Sequence, residues 1–287
     1  MERILYLNGQ YLLESQAKVS LFDRGFLFSE AIYEMIAVLD GVLIDNLGHL
    51  SRLRHSANEL DMRLPISVKE IVRVQKELIR RNRLVEGSVY LQLTRGTESD
   101  RNFHYSEETK PTLASFTQSR PLLSPAICRT GIKVISCEDI RWRRRDIKTT
   151  SLIPACMAKN IARKRGADDV WFIEDGYVTE GGSSNAYIIT QEDKLVTRPL
   201  SKSILHGITR AFLMQLSRKM GVDIEERTFT IEEAYAAKEA FISSATVFVL
   251  PVVEIDGRPI ADGRPGPLSL NIREVYISAA RALARDT

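Results

Sequence analysis

The sequence predicts an α+β fold in two domains, on three observations. Tight-turn dipeptides sit between apolar runs, helical periodicity is confined to separate stretches, and 287 residues exceed the size at which a single core usually stops growing. Asn8-Gly9, Asp40-Gly41, Asp175-Gly176 and Asp256-Gly257 each read as a hairpin turn, because Asn, Asp and Gly accept the positive φ such turns require. The first joins Ile4–Leu7 to Tyr11–Leu13, the second Tyr33–Leu39 to Val42–Ile44, and the third Val170–Ile173 to Tyr177–Thr179. Apolar spacing predicts helices through Leu47, Leu50, Leu53, Ala57 and Leu60, through Ile71, Val74, Leu78 and Ile79, and through Ile208, Phe212, Leu213, Leu216 and Met220. Further helices are expected at 155–165 and 270–284, with a strand at Val89–Leu93. Pro121, Ser124 and Pro125 punctuate the pattern, which sets a smaller N-terminal domain at 1–121 and a larger, strand-rich C-terminal domain at 122–287.

Composition narrows the class of protein without choosing a chemistry. Hydrophobic residues make up 44% and charged residues 27%, which excludes a disordered or collagen-like chain. Forty basic residues against 37 acidic ones leave +3, too little for strong attraction to a polyanion. Cys128, Cys137 and Cys156 are odd in number and lack paired spacing, arguing against a disulfide framework and a zinc ribbon. No signal-length or membrane-length apolar run occurs, so a cytoplasmic location without membrane partner is expected.

Four segments can carry chemistry. Arg141-Trp142-Arg143-Arg144-Arg145-Asp146-Ile147-Lys148 is the densest charge cluster, and its bland reading is a solvated or polyanion-binding face. Trp142 is the only aromatic interleaved there, which speaks against nucleic acid as a partner. Glu180-Gly181-Gly182-Ser183-Ser184-Asn185 puts a carboxylate before small residues that let backbone approach a ligand. Leu205-His206-Gly207-Ile208-Thr209 places glycine before an amphipathic helix, whose first amides attract phosphate. Ser243-Ser244-Ala245-Thr246 ends an apolar strand with hydroxyls and amides.

In order and spacing these segments resemble the fold-type IV (class IV) pyridoxal-phosphate-dependent aminotransferases, and within them the D-amino acid aminotransferases. The resemblance runs from Asp23-Arg24-Gly25 and Tyr33-Glu34, through His49-Leu50-Ser51-Arg52-Leu53 and Thr94-Arg95-Gly96-Thr97, to Pro251-Val252-Val253-Glu254-Ile255-Asp256-Gly257. It implies pyridoxal 5'-phosphate as cofactor, small amino acids and 2-oxo acids as substrates, and a homodimer. Lys148 then corresponds to the lysine that carries the cofactor covalently and shuttles the substrate's Cα proton, with Arg141 and Arg145 as nearby positive charge. Glu180 corresponds to the carboxylate that pairs with the ring nitrogen, and Arg52 to the phosphate-binding arginine, whose fork suits a bidentate contact. Ser184, Asn185, Leu205, Gly207, Ile208, Thr209, Ser244 and Ala245 complete the cofactor set; Ala245 keeps only its amide where the family often has a hydroxyl. Tyr33 corresponds to a substrate-carboxylate contact, Trp142 to a pocket wall, and Arg101 and His104 to the arginine and histidine lent by a neighbouring subunit. One extra residue separates Arg101 from His104, and Ser29-Glu30-Ala31 replaces a Gly-Asp-Gly type of turn. No metal is expected. Transamination of D-amino acids with 2-oxo acids is the implied activity; a branched-chain L-amino acid aminotransferase, an (R)-amine transaminase and an aminodeoxychorismate lyase are the alternatives.

Overall fold

The structure is a computed structural model describing residues 2–123 and 125–285, so Ser124, one of the predicted boundary residues, lies outside the described residues. The chain divides into two compact units. One gathers the residues up to Leu122 together with Ile147–Ser151; the other gathers Leu123–Asp146 and Leu152–Leu283.

In the first unit the elements run β1 (Ile4–Leu7), β2 (Gln10–Leu13), α1 (Arg24–Phe28), β3 (Ala31–Leu39), β4 (Val42–Leu43), α2 (Asn46–Glu59), α3 (Val68–Asn82), β5 (Gly87–Thr94) and β6 (Thr112–Ser119). Six strands pair in the order β2-β1-β6-β5-β3-β4, every neighbour antiparallel. One face of this sheet is covered by α2 and α3: Leu50, Leu53 and Ala57, with Ile71, Val74 and Leu78, form a core with Ile32, Leu91, Leu93 and Leu113. These are the helical positions spaced three and four apart that the periodicity selects. Ser67 and Glu70 cap α3 reciprocally, each side chain accepting the other's backbone N–H.

The second unit contains α4 (Pro125–Thr130), β7 (Ile132–Glu138), α5 (Ile153–Lys164), β8 (Asp169–Glu174), β9 (Tyr177–Gly181), β10 (Asn185–Ile189), β11 (Leu195–Thr197), α6 (Ile208–Lys219), β12 (Ile224–Glu226), α7 (Ile231–Tyr235), β13 (Glu239–Ser244), β14 (Phe248–Ile255), β15 (Arg258–Pro259) and α8 (Pro267–Arg285). Its mixed sheet runs β12-β11-β10-β13-β14-β7-β8-β9, with β15 on β14; β7 lies parallel to both β14 and β8. Ala155, Ala158 and Ala162 let α5 lie close on Ile135, Val170 and Phe172. Trp171, Phe229, Ile242, Leu250 and Val252 fill another part of the interior.

All four predicted turns are hairpins, and at each both central residues have positive φ: 46° and 93° at Asn8-Gly9, 53° and 77° at Asp40-Gly41, 52° and 82° at Asp175-Gly176, 52° and 77° at Asp256-Gly257. That is the backbone whose twist matches paired strands.

The unit boundary departs from a simple cut in the sequence. Ile147–Ser151, which a division at 121/122 assigns to the C-terminal domain, packs with the first unit. Ile147 is 3% exposed within that unit's core, Thr149 bridges Ile32, and the N–H groups of Tyr33 and Thr150 donate to the carbonyls of Lys148 and Ala31, each at 3.0 Å. Core burial and backbone pairing override the linear order.

The start of α8 is held by a buried carboxylate. Glu239, 4% exposed, accepts the N–H groups of Leu268 at 2.9 Å and Ser269 at 2.8 Å, amides with no partner inside the helix. Glu239→Ala is expected to lower the unfolding free energy by about 2–3 kcal/mol, the scale of hydrogen bonds to a charged group. Denaturant unfolding followed by circular dichroism checks this; an unchanged midpoint contradicts the cap.

Candidate active site

In the first unit, Tyr33 and Lys148 meet where β3 pairs with Ile147–Ser151. Lys148 follows the buried Ile147, its amide donates to Ser56 Oγ at 3.2 Å, and its Nζ stands 4.2 Å from the centroid of the Tyr33 ring. Tyr33 stacks on Tyr90 at 5.6 Å, and Tyr90 on Phe116 at 4.7 Å, so the ring facing the lysine is braced by two more.

Alternation along β3 sends the next side chain, Glu34, to the opposite face, where it is 0% exposed. There it accepts Arg52 Nε at 2.8 Å and Arg52 Nη2 at 2.7 Å, and Oε2 lies 2.7 Å from His49 Nδ1. Burial alone raises the Glu34 carboxyl, but Arg52 and His49 more than offset it and hold it at about 2. Burial pushes His49 below its ordinary value, toward the neutral ring. The bidentate geometry expected of Arg52 toward phosphate is thus made on its Nε–Nη2 edge to Glu34, which fixes how the guanidinium is presented.

Arg101 and His104 lie exposed on the loop after β5. Arg101 stands over the rings of Phe28 at 4.9 Å and Phe103 at 5.2 Å. The loop backbone is gripped by Arg24, which donates to the carbonyls of Asn102 at 2.5 Å, Phe103 at 2.9 Å and His104 at 3.3 Å. Glu30 steadies this arginine at 2.5 Å and also pairs with Arg95. The altered Ser29-Glu30-Ala31 turn, for which the sequence offers no role, therefore supplies the carboxylate that orders the Arg101–His104 loop.

In the second unit, Glu180, 3% exposed, ends β9 beside Asn185 at the start of β10. Its Oε1 accepts Arg141 Nη1 at 2.7 Å; its Oε2 accepts Asn185 Nδ2 at 3.2 Å and the Leu205 N–H at 3.1 Å. Asn185 also donates to the Leu205 carbonyl at 3.0 Å, so Leu205 enters through its backbone. Burial drives the Glu180 carboxyl up; Arg141 and the Leu205 amide draw it partly back, leaving it above its ordinary value.

Arg141 and Arg145 converge on Asp139, a residue that the sequence did not single out. Arg141 reaches it at 2.7 Å and Arg145 at 3.4 Å, while Arg145 also pairs with Glu174 at 2.8 Å. Thr179 Oγ1 donates to Asp139 at 2.8 Å. Burial raises the Asp139 carboxyl, and Arg141 with Thr179 brings it below its usual range. Arg144 pairs with Asp146 at 2.9 Å. The arginine run is largely an internal ion-pair lattice, with Trp142 at 43% exposure beside it. The signal was present as an aspartate two residues before Arg141, hidden because a charge pair two apart on a bent backbone leaves no periodic trace.

The remaining residues ring the same sheet edge. The β10–β13 register places Asn185 opposite Ser243, whose Oγ lies 2.8 Å from the Tyr187 hydroxyl. Ser244 and Ala245 follow at the strand end, half-buried. Gly207 caps α6 without a side-chain bond, leaving the first-turn amides of Ile208 and Thr209 uncapped by it. A Cβ on Gly207 would sit 2.1 Å from Asn185 Oδ1, so that glycine is required by packing. The Gly181-Gly182 pair has an internal reason as well: a Cβ on Gly181 would meet Ser184 Oγ at 2.2 Å, and one on Gly182 would meet Lys159 and Asp169 at 2.8 Å. Among the described residues, the buried Ser184 Oγ has no hydrogen-bond partner.

The second unit thus sets a buried carboxylate, an uncapped helix start and a hydroxyl-bearing strand end along one sheet edge, and the first unit lays a lysine on an aromatic stack. The chain belongs to the amino-transferase class IV family, whose sequence profile matches residues 31–255. It is 36% identical over 278 residues to a D-alanine aminotransferase of Staphylococcus aureus, covering 96% of this chain and 97% of that protein. It is 37% identical over 267 residues to a D-alanine aminotransferase of Bacillus licheniformis, covering 93% of each. Among solved structures it superposes on the branched-chain amino acid aminotransferase from Escherichia coli, with a TM-score of 0.87 at 21% identity over 97% of this chain and 94% of that one. The branched-chain aminotransferase of Thermoproteus uzoniensis with norvaline gives 0.84 at 26% identity over 98% and 95%.

The Glu34 pair yields a pH signature. Because its carboxyl is held near 2 in the folded chain against an ordinary 4.5, its stabilisation is complete above about pH 4.5 and is lost as pH falls toward 2. Glu34→Gln is expected to cost about 3–5 kcal/mol at neutral pH by stranding Arg52. The wild-type-minus-variant difference in unfolding free energy should shrink between pH 4.5 and 2; a difference independent of pH contradicts the pairing.

Proposed function

We propose that this chain transfers amino groups between D-amino acids and 2-oxo acids, with pyridoxal 5'-phosphate as its resident cofactor. The observation that carries the proposal is the near-full-length similarity to D-alanine aminotransferases, with Lys148 laid against Tyr33.

The residues present fit the cofactor. Ser184 Oγ is buried without a partner among the described residues, the α6 start is uncapped, and Gly207 brings backbone against Asn185. Such a helix start suits a phosphate, and Ile208, Thr209, Ser244 and Ala245 would hold it, with Arg52 as the cationic partner. When bound, the cofactor supplies an aldehyde for covalent attachment and a ring that accepts the electron pair left at the substrate Cα. Lys148 would hold that aldehyde and carry the Cα proton. Glu180 would hold the ring nitrogen protonated, a task that needs an ionised carboxylate; Arg141, 2.7 Å away, opposes the effect of burial and favours that form. Tyr33 and Arg101, with His104, would receive the substrate carboxylate, and Trp142 would wall the pocket.

A homodimer fits the apolar surfaces. In the second unit Ile153, Met157 and Ile161 lie exposed at four-residue spacing on α5, and in the first unit Leu21, Phe22 and Phe26 are exposed. The free cysteines suit a reducing compartment, hence the cytoplasm; no helix among the described residues is long and apolar enough to cross a membrane.

The resemblance to branched-chain aminotransferase structures supports a second reading, in which L-leucine is the donor. Addition of D-alanine to the cofactor-loaded protein is expected to abolish the visible absorbance of the bound aldehyde, and pyruvate should appear in equal amount. A response to L-leucine alone favours the second reading. Response to 1-phenylethylamine alone would establish an amine transaminase, and pyruvate formed from aminodeoxychorismate without an amino acceptor would establish a lyase.

A further inference from the structure

The turn between β13 and β14 contains a conformation that its sequence does not favour. Ser244 pairs with Phe248 to close it, and Phe248 sits at φ +57°, left-handed backbone that a bulky L-residue adopts only when its surroundings impose it. Two contacts impose it. The Phe248 ring is 0% exposed and packs on Tyr276 of α8 at 5.6 Å between centroids. One turn earlier on the same helix face, Arg273 Nη1 donates to the carbonyls of Val247 at 2.5 Å and Val249 at 2.6 Å. The guanidinium thus holds the carbonyl of the residue before the strained one and the carbonyl of the residue after it.

A trans peptide is planar, with its N–H opposed to its C=O, so the Val247 carbonyl turned onto Arg273 fixes the direction of the Phe248 N–H, at the residue that pairs with Ser244 and closes the turn. Polarisation by a cation also strengthens that N–H as a donor. Arg273 is 6% exposed, so water does little to screen this effect. The same helix reaches α6: Tyr276 packs on Phe212 at 5.3 Å, and α6 begins with the amides of Ile208 and Thr209. α8 therefore braces from behind both backbone segments assigned to the phosphate group.

We propose that Arg273 is a positioning residue for phosphate binding, acting through the Ser244–Phe248 turn, and that it sets the affinity for the phosphate ester of the cofactor rather than for its ring. This rests on the proposed pyridoxal-phosphate function. The sequence gives no hint of it, since an arginine in the middle of an amphipathic helix reads as a solvated residue.

The test compares dissociation constants of the apoprotein for pyridoxal 5'-phosphate and for pyridoxal, which lacks the phosphate, by absorbance titration. Arg273→Met is expected to weaken pyridoxal 5'-phosphate binding tenfold or more while changing pyridoxal binding less than twofold, with Arg273→Lys intermediate. A purely structural arginine would weaken both alike; equal loss for both ligands, or no loss for either, overturns the proposal. If Arg273→Met does not fold, Arg273→Gln, which keeps one donor, carries the same comparison, and an unchanged ratio of the two constants overturns it. Wild-type protein that binds neither ligand would instead sink the cofactor assignment itself, so the two failures are distinguishable.

Discussion

The short pairing of Ile147–Ser151 with the start of β3 is the constraint on which the site depends. Two backbone hydrogen bonds, from Tyr33 to Lys148 and from Thr150 to Ala31, and the burial of Ile147 fix this segment to the first unit although most of the residues around it in sequence belong to the second. A lysine on a free loop would lose side-chain and backbone entropy on being held in one place. Here the backbone is already ordered, and Tyr33, backed by Tyr90 and Phe116, faces the amine. Alternation along the same strand then delivers Glu34 to the other face, where it orients Arg52. One strand thus aims both a lysine and an arginine.

Buried charge is handled by pairing throughout. Glu34 is neutralised by Arg52, and Asp139 binds two arginines, one of which also reaches Glu180. Unpaired, any of these would be driven toward its neutral form by burial. Glu180 has the weakest compensation of the three carboxylates, two of its three donors being neutral, and its carboxyl stays above the ordinary value where those of Glu34 and Asp139 fall below it. Its one cationic donor, Arg141, is what opposes burial and favours the ionised form.

Much of the fold was legible in the sequence because it is local. The four turn dipeptides specify positive φ within two residues, and the α2, α3 and α6 patterns repeat within one element, so each needs only its own neighbourhood to be read. The order of the site segments was legible as a family resemblance. What escaped is non-local or lacks a period. Whether Lys148 packs with the residues before or after it depends on which strand its segment meets. Asp139 and Glu30 matter only through arginines that the chain brings to them, and Gly181 is glycine because Ser184 occupies the space of a side chain. Arg273 is the extreme case, since its partners are backbone carbonyls 24 and 26 residues away.

The most direct measurement is reduction of the yellow protein with borohydride, followed by protease digestion and mass mapping of the modified peptide, with Lys148→Ala as the control. A single pyridoxyl adduct on the peptide containing Lys148, absent from the variant, is the expected result. A colourless protein, an adduct at another lysine, or full turnover by Lys148→Ala would contradict the assignment of that amine as the covalent anchor.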